Sequence, residues 1–515
     1  MSNLNFPSVK ELLSAQSERL GNKTFLKYIK NGEICEKSFN TVYSDTLSFC
    51  RMIRHKFGKK TNIALIGETG YEYIISLLGI LTSGCSVVPF SPEINVAEIK
   101  ELFEDADIEA VVYDSNFAKK AEILKAACPS VKLFLNVSRS DDFKDIMKIY
   151  SESSKYSSLS DQDVDKDECA AIIYTSGTTG IRKGVMLSTN SLVGNIMYKD
   201  FCTDIFREND VIMSVLPMYH IYCFTGDIIK NLKDGLQVCL NGSMREITKN
   251  LKIFKPRIMR VVPMIAETLL RRMKLYRAKH PGFSYEEAAH HVFGENIKYL
   301  ISGGAYLNSA LVDEYAKYGI LLRQGYGMTE AGCRISVPDE GVDPSSVGRI
   351  IDICEVRTQD DEIQVKTPTR MIGYYNMPEE TEKIFTPDGW LKTGDLGYVT
   401  EDRQLFITGR VKNLIILSSG ENVSPEAIEK KFAGCEIIKE VMVYAENNMI
   451  AAEFYPDYEY AQNHGIQDIN SRIGEITDAL NSKAKSSHFI SKIIIRQIPF
   501  EKTGSGKIKR KENTI

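Results

Sequence analysis

Several signatures that would point early to a function are missing from this chain, and each absence removes a class. The Walker phosphate loop needs Gly-Lys followed by Ser or Thr, four residues after an earlier glycine. Gly58-Lys59-Lys60 and Gly506-Lys507-Ile508 both fail it. The dinucleotide fingerprint G-x-G-x-x-G is absent too. The eleven cysteines are irregularly spaced and contain no C-x-x-C pair, which favours neither a zinc site nor a disulfide framework. Buried free thiols in a reducing cytoplasm are the expectation. The first residues, MSNLNFPSVKELL, carry no charged-then-apolar leader, so a cytoplasmic location is expected. The one apolar span of note, 73–90, contains Ser76, Gly79, Thr82, Ser83 and Gly84 and runs into Pro89. It reads as a buried helix followed by a buried strand, not as a transmembrane segment. A net charge of −4 gives no electrostatic case for a nucleic-acid partner. No internal repeat is detectable.

What remains is globular. Apolar residues make up 43% and charged residues 26%, and 515 residues exceed what one core can organise, so several domains or subdomains are expected. Up to about 165 the pattern alternates: strand 62–66, helix 71–81, strand 85–89, helix 97–103, strand 110–113, an α/β layer with a parallel sheet. The polar stretch 150–167 lacks periodicity and reads as a surface connection. From 181 to 340 further strands are expected at 211–216, 236–240, 258–262, 297–301 and 320–322. Several of them end in Gly, Ser, Thr or His, where ligands collect in open α/β sheets. Between 341 and 409 short runs flank acidic turns, the mark of a small antiparallel region or barrel. The last fifth mixes strands and helices, and Ser424 before Pro425 and Glu426 is a good helix start.

The chain is organised around Tyr174-Thr175-Ser176-Gly177-Thr178-Thr179-Gly180-Ile181-Arg182-Lys183-Gly184, which follows the apolar run 170–173. On composition alone this is a glycine-rich strand-to-helix connection. Glycine also lets the backbone approach a ligand closely, and hydroxyls, free N–H groups and the Arg182 and Lys183 charges suit phosphate oxygens. Three later stretches hold chemistry of the same kind. Gly325-Tyr326-Gly327-Met328-Thr329-Glu330 supplies an aromatic face, a donor and hard oxygens suited to magnesium. Thr393-Gly394-Asp395 supplies a carboxylate able to accept from two hydroxyls. The segment 502–507 ends in Gly506-Lys507, by composition an ordinary solvated tail lysine.

The wording YTSGTTGIRKGVMLS resembles the signature loop of the adenylate-forming superfamily, which includes acyl-CoA synthetases, firefly luciferase and peptide-synthetase adenylation domains. Six motifs follow in that family's order between 174 and 507, with wording nearest to fatty acyl-CoA synthetases. The resemblance implies an α/β fold. A large N-terminal AMP-binding domain, 1–410, would comprise two α/β subdomains (1–180 and 181–340) and a small antiparallel β barrel (341–410). A small mobile α+β C-terminal domain, 411–515, would follow. It assigns ATP contacts to Thr175, Ser176, Gly177, Thr178, Thr179, Gly180 and Lys183. By the same resemblance Gly303, Gly304 and Ala305 would form the adenine-contacting turn, and Tyr326, between Gly325 and Gly327, would stack on adenine. Thr329 would touch the α-phosphate, Glu330 would hold Mg2+, and Asp395 and Arg410 would hold the ribose. His220 would gate the acyl pocket, Lys412 would be a hinge, and Gly420 would line the thiol channel. Lys507 would bridge the carboxylate and the α-phosphate. Asn413 departs from the family's commonly acidic residue.

The implied activity is ATP-dependent activation of a carboxylic acid as an acyl-adenylate, followed by transfer to coenzyme A or to a carrier-protein phosphopantetheine. Amino-acid adenylation domains carry a Phe-Asp pair near the position of His220; the segment here reads His220-Ile221-Tyr222-Cys223-Phe224-Thr225, which favours a fatty or aryl acid. A free-standing ligase that loads a carrier protein, a luciferase-type oxygenase and a non-catalytic nucleotide-binding homologue are the alternatives.

Overall fold

In the computed structural model, which describes residues 6–138, 140–176, 182–198, 206–339, 341–417, 422–446, 449–485, 488–502 and 508–510, the apolar runs become the middle strands of two seven-stranded sheets. The first has the order Gly373–Tyr374, Arg182–Ser188, Cys169–Ser176, Ser86–Phe90, Asn62–Ile66, Ile108–Tyr113, Leu133–Asn136. Asn62–Ile66 is parallel to both neighbours, and Ile63, Ala64, Leu65 and Ile66 are fully buried. A strand covered on both faces needs an uninterrupted apolar run, which is why this one was readable. The next element is the helix Tyr71–Ser83, ended by Gly84 in the left-handed region (φ +83°). Gly79, which interrupts the apolar span, lies against Phe49: a Cβ there would stand 2.8 Å from its ring. Among the described residues no helix is long and apolar enough to cross a membrane.

The second sheet runs Leu321–Gln324, Tyr299–Ser302, Ile258–Val261, Val211–Ser214, Gln237–Leu240, Thr24–Lys30, Glu33–Ser38. Its first five strands are parallel and leave their carboxyl ends along one edge. The chain's opening hairpin joins here, with Leu26 opposite Val238, while Arg182–Ser188 and Gly373–Tyr374 belong to the first sheet. Sheet membership therefore cuts across the expected division at residue 180. Two local expectations also change. Strand Cys169–Ser176 pairs antiparallel with Arg182–Ser188, so the signature stretch sits in a β hairpin and not between a strand and a helix. The stretch 150–167 is partly helical (Ser140–Glu152 and Ser154–Ser157) and is held to the body by Arg54. That buried guanidinium donates to the Gln162 carbonyl (3.0 Å) and to the carbonyls of Ser83 and Thr82 (2.8 and 3.2 Å).

Strands Glu355–Gln359, Glu362–Lys366, Leu391–Val399 and Leu405–Arg410 form the expected antiparallel region. Asp360 and Asp361 make its first turn with positive φ (51° and 61°), the geometry that suits two-residue hairpins. Main-chain bonds between Leu405 and both Val347 and Gly348 carry the sheet onward, and Ile335, Ile350, Ile363, Val365, Leu391 and Leu405 share its core. Beyond residue 411 a three-stranded sheet (Ile438–Glu446, Met449–Pro456, Ile490–Ile495) packs with helices Pro425–Glu429 and Ile469–Asn481 around a separate core. Ser424 caps the first of these helices, accepting from Ala427 N–H, with Pro425 at its first position.

Candidate active site

Three segments far apart in sequence are tied together by main-chain bonds. Gly373–Tyr374 pairs with Arg182–Ser188, flanked by Ile372 N–H to Met186 O (2.9 Å) and Tyr375 N–H to Gly184 O (2.7 Å). Met371 N–H donates to Glu330 O (2.8 Å), which fixes the Thr329–Ala331 turn against that strand. The side chain between them is Tyr374. Its hydroxyl donates to Glu330 Oε1 at 2.9 Å, and its ring centroid lies 4.9 Å from Lys183 Nζ. Lys183 in turn pairs with Glu380 (2.7 Å). Burial pushes the Glu330 carboxyl up, whereas the hydrogen bond from Lys183, helped by Lys383, draws Glu380 down to about 2. In the hairpin Thr175 faces Lys183 and Ser176 faces Arg182, and Arg182 is ion-paired with Glu98.

A second cluster sits on the antiparallel region. Asp395 and Arg410 are directly opposite in adjacent strands, with Arg410 Nε 2.8 Å from Oδ1. Tyr326 Oη donates to Oδ2 at 2.6 Å. Each carboxylate oxygen has a second lone pair, so the buried Asp395 can accept two further hydrogen bonds. Burial, reinforced by Asp395, pushes the Tyr326 phenol far up and keeps it a donor. Of the flanking glycines Gly327 is a steric necessity, since a Cβ there would overlap the Cys333 carbonyl oxygen, whereas one on Gly325 would make a tight contact of 3.2 Å with Ser336 O.

The third cluster lies at the carboxyl ends of the second sheet. Gly303 N–H donates to Val261 O (3.2 Å), Gly304 has φ +77°, and Gln324 Nε2 holds the Ala305 carbonyl at 2.9 Å. A Cβ on Gly303 would stand 3.0 Å from the Tyr222 ring, which is pinned by its hydroxyl to Ile301 O (3.0 Å). His220 precedes the short helix Ile221–Cys223, its ring 4.6 Å from Tyr219; solvent reaches the imidazole, but the surrounding protein desolvates it and lowers its pKa. A π-helical turn, Phe224–Ile229, follows, a distortion frequent at functional sites. It carries the buried Asp227, which is bound by Arg260 (3.0 Å) and Ser214 (2.8 Å).

Lys412 stands in the turn Val411–Asn413, where burial lowers its pKa, and the Asn413 amide donates to Glu426. The C-terminal segment rests on strand Leu405–Arg410 through Ser424 Oγ to Thr408 O (3.1 Å), and Gly409 lacks the Cβ that would collide with Ser424. Gly177, Thr178, Thr179, Gly180, Gly420 and Lys507 lie outside the described residues. Among the described residues no group of three or more His, Cys, Asp or Glu could hold a metal ion.

Residues 13–375 match the profile described as AMP-binding enzyme, and residues 412–514 match the AMP-binding enzyme C-terminal domain. The chain belongs to the AMP-binding enzyme family. With it goes membership of the AMP-forming acid–thiol ligases. The chain is 27% identical over 446 residues to 4-coumarate–CoA ligase 1 of Arabidopsis thaliana, covering 80% of this chain and 77% of that one. It is 29% identical over 328 residues to the peroxisomal long chain acyl-CoA synthetase 6 of the same plant, covering 55% of this chain and 46% of that one. Among solved structures, an anthranilate CoA ligase in complex with anthranoyl-AMP superimposes with a TM-score of 0.81 at 18% identity, over 98% of this chain and 96% of that one. ATP-bound MatB from Rhodopseudomonas palustris gives 0.80 at 23%, over 97% of each.

Lys183, Glu330, Tyr326, Asp395 and Arg410 of this AMP-binding fold stand out in the sequence alone; Tyr374 and Glu380 do not. Both lie in Gly373-Tyr374-Tyr375-Asn376-Met377-Pro378-Glu379-Glu380, which has no spacing that announces chemistry. Only the pairing of Gly373–Tyr374 with the Lys183 strand reveals them.

Proposed function

We propose that this enzyme uses ATP to convert a fatty or other non-amino carboxylic acid into an acyl-adenylate and pyrophosphate, then transfers the acyl group to coenzyme A. The observation that carries the reading is the grouping of two cations, Lys183 and Arg410, with the half-buried carboxylate of Glu330, the buried carboxylate of Asp395, and the tyrosine hydroxyls bound to them. In the first step a carboxylate oxygen attacks the α-phosphorus in line, its bond to phosphorus forms and the bond to the pyrophosphate oxygen breaks. Such chemistry asks the protein for positioning and charge stabilisation, not for acid–base work.

Asp395 and Arg410 take the ribose, Tyr326 and the Gly303-Gly304-Ala305 turn the adenine, and Thr329 the α-phosphate. Lys183 and residues 175–180 take the remaining phosphates. Glu330 would hold Mg2+, which neutralises phosphate charge when bound. One carboxylate fits magnesium, which commonly binds through one or two carboxylates plus substrate phosphates. Lys507 supplies positive charge between the carboxylate and the phosphate. In the second step the region 411–515 pivots at Lys412, Gly420 lines the thiol path, and the thiol sulfur attacks the acyl carbon as AMP leaves.

Asp227 supports a non-amino acid. It is the acidic residue on the segment after His220, and its carboxylate is already bound by Arg260 and Ser214, so it offers no anchor for an ammonium. The test is pyrophosphate release with a panel of fatty, aryl and amino acids, with and without coenzyme A. Release with one non-amino class, accelerated by coenzyme A, is the expected result. Accumulation of acyl-AMP unaffected by coenzyme A would point instead to carrier-protein loading. No release with any acid would favour a non-catalytic nucleotide-binding role.

A further inference from the structure

We propose that Tyr374 is a positioning residue that keeps Lys183 and Glu330 apart, leaving the lysine for phosphate and the glutamate for a divalent cation. The proposal rests on the ATP-dependent reading above and adds a residue and a role to it.

Lys183 and Glu330 carry opposite charges and lie on either side of one side chain. Tyr374 presents its ring to the ammonium at 4.9 Å and its hydroxyl to Glu330 Oε1 at 2.9 Å. Its position is fixed from every side. The backbone pairs with Val185, its N–H donates to Thr381 Oγ1 at 2.8 Å, and the residue is 5% exposed. The neighbouring Gly373 is tightly packed as well: a Cβ there would stand 2.9 Å from Thr381 Cγ2, so Thr381 would have to shift. The tyrosine therefore cannot swing out of the gap.

Two half-buried opposite charges with nothing between them attract one another, and a direct ion pair offsets part of what each lost in leaving water. Such a pair would draw the lysine from the phosphates and fill the carboxylate face that a cation needs. Here the aromatic ring takes the ammonium's approach as a cation–π contact, and Glu380, 2.7 Å from Lys183 Nζ, draws the lysine to the other side. The phenol O–H uses one oxygen of Glu330 as a neutral donor and fixes the carboxylate's rotation without adding charge. Glu380 is thus a holding partner for Lys183, from which phosphate oxygens can take it.

Tyr374→Phe keeps the ring and removes the hydroxyl; Tyr374→Leu removes both. The measurement that needs no acid substrate is Mn2+ uptake, by electron paramagnetic resonance, in the presence of a non-hydrolysable ATP analogue. We expect about tenfold weaker Mn2+ binding for Tyr374→Phe, and weaker still for Tyr374→Leu, one hydrogen bond to a charged group corresponding to about that factor. The Mg2+ concentration for half-maximal pyrophosphate release should rise by the same factor while the KM for ATP of Tyr374→Phe stays near wild type. Glu380→Gln, with Tyr374 in place, should leave Mn2+ uptake unchanged and alter the KM for ATP. Equal Mn2+ binding by wild type and both Tyr374 variants would overturn the role given to Tyr374. A wild-type protein that takes up no Mn2+ with the analogue would overturn the nucleotide reading beneath it, a distinct result. Thermal unfolding of each variant separates loss of fold from loss of the cation.

Discussion

Asp395 and Arg410 face each other in register across two antiparallel strands, with the carboxylate buried and the guanidinium partly in solvent. Fourteen residues of intervening chain fold back as a hairpin to bring them within 2.8 Å, and Tyr326 adds its hydroxyl from a third direction. Asp395→Asn keeps the shape and removes the charge. Because Arg410 is 38% exposed, water screens much of the pair, and a stability loss of about 1–3 kcal/mol is expected by urea unfolding. The KM for ATP should rise at least tenfold. An unchanged KM would remove Asp395 from the ribose site.

Glu330→Gln separates function from stability. Burial raises the carboxyl's pKa in the folded protein above its ordinary value of 4.5, so the folded state binds more protons than the unfolded one in the window between them. Stability therefore falls as pH rises through that window, and the penalty is absent below pH 4.5. The variant should gain thermal stability over wild type at neutral pH, with the gain vanishing in acid. Its adenylation rate should drop about 10²–10³-fold, the scale for losing one electrostatic stabiliser. A variant that melts earlier than wild type at pH 7 would contradict this account of Glu330.

Lys507→Ala should abolish pyrophosphate release, with a loss of about 10²–10³-fold or more, yet form thioester from supplied acyl-adenylate and coenzyme A at near wild-type rate. Loss of both half-reactions would sink that division of labour.

Gly327→Ala tests a purely steric requirement. The added Cβ overlaps the Cys333 carbonyl oxygen, and neither partner is a flexible side-chain end, so backbone must move. A cost at the upper end of the usual overpacking range, about 1–3 kcal/mol, is expected in denaturant unfolding. Gly242→Ala, which meets nothing within 4 Å but has φ +72°, is the control for conformational strain alone.

The sequence was most legible where one strand met one kind of surroundings. The strand 62–66 was found to the residue because both its faces are buried, and the Asp360-Asp361 turn because its neighbours alternate. The nucleotide motifs were legible as short strings, but their partners were not. Nothing local links Lys183 to Glu380 or Tyr374 to Glu330; those contacts span 197 and 44 residues. The hairpin at the signature stretch is hidden from the sequence for a related reason. Arg182-Lys183-Gly184-Val185-Met186-Leu187-Ser188 looks like the start of a helix after a glycine loop, and only pairing with Cys169–Ser176 makes it a strand. Likewise the polar stretch 150–167 is fastened by distant upstream side chains, Lys10, Arg51, Arg54 and Lys59, each donating to it.

The opening hairpin, Thr24–Lys30 with Glu33–Ser38, finds its sheet only through Gln237–Leu240. A ribosome emits the hairpin and then, at about 5–20 residues per second, takes on the order of ten to forty seconds to deliver the strand it joins. During that interval the edge that Leu26 and Lys27 will offer to Val238 and Cys239 has no native partner. The first sheet's strands, most of them between 62 and 188, emerge inside that wait, so the earlier-born hairpin is the later to settle. An N-terminal fragment ending before residue 237 should expose that edge permanently, and nascent chains of that length are where chaperone engagement belongs.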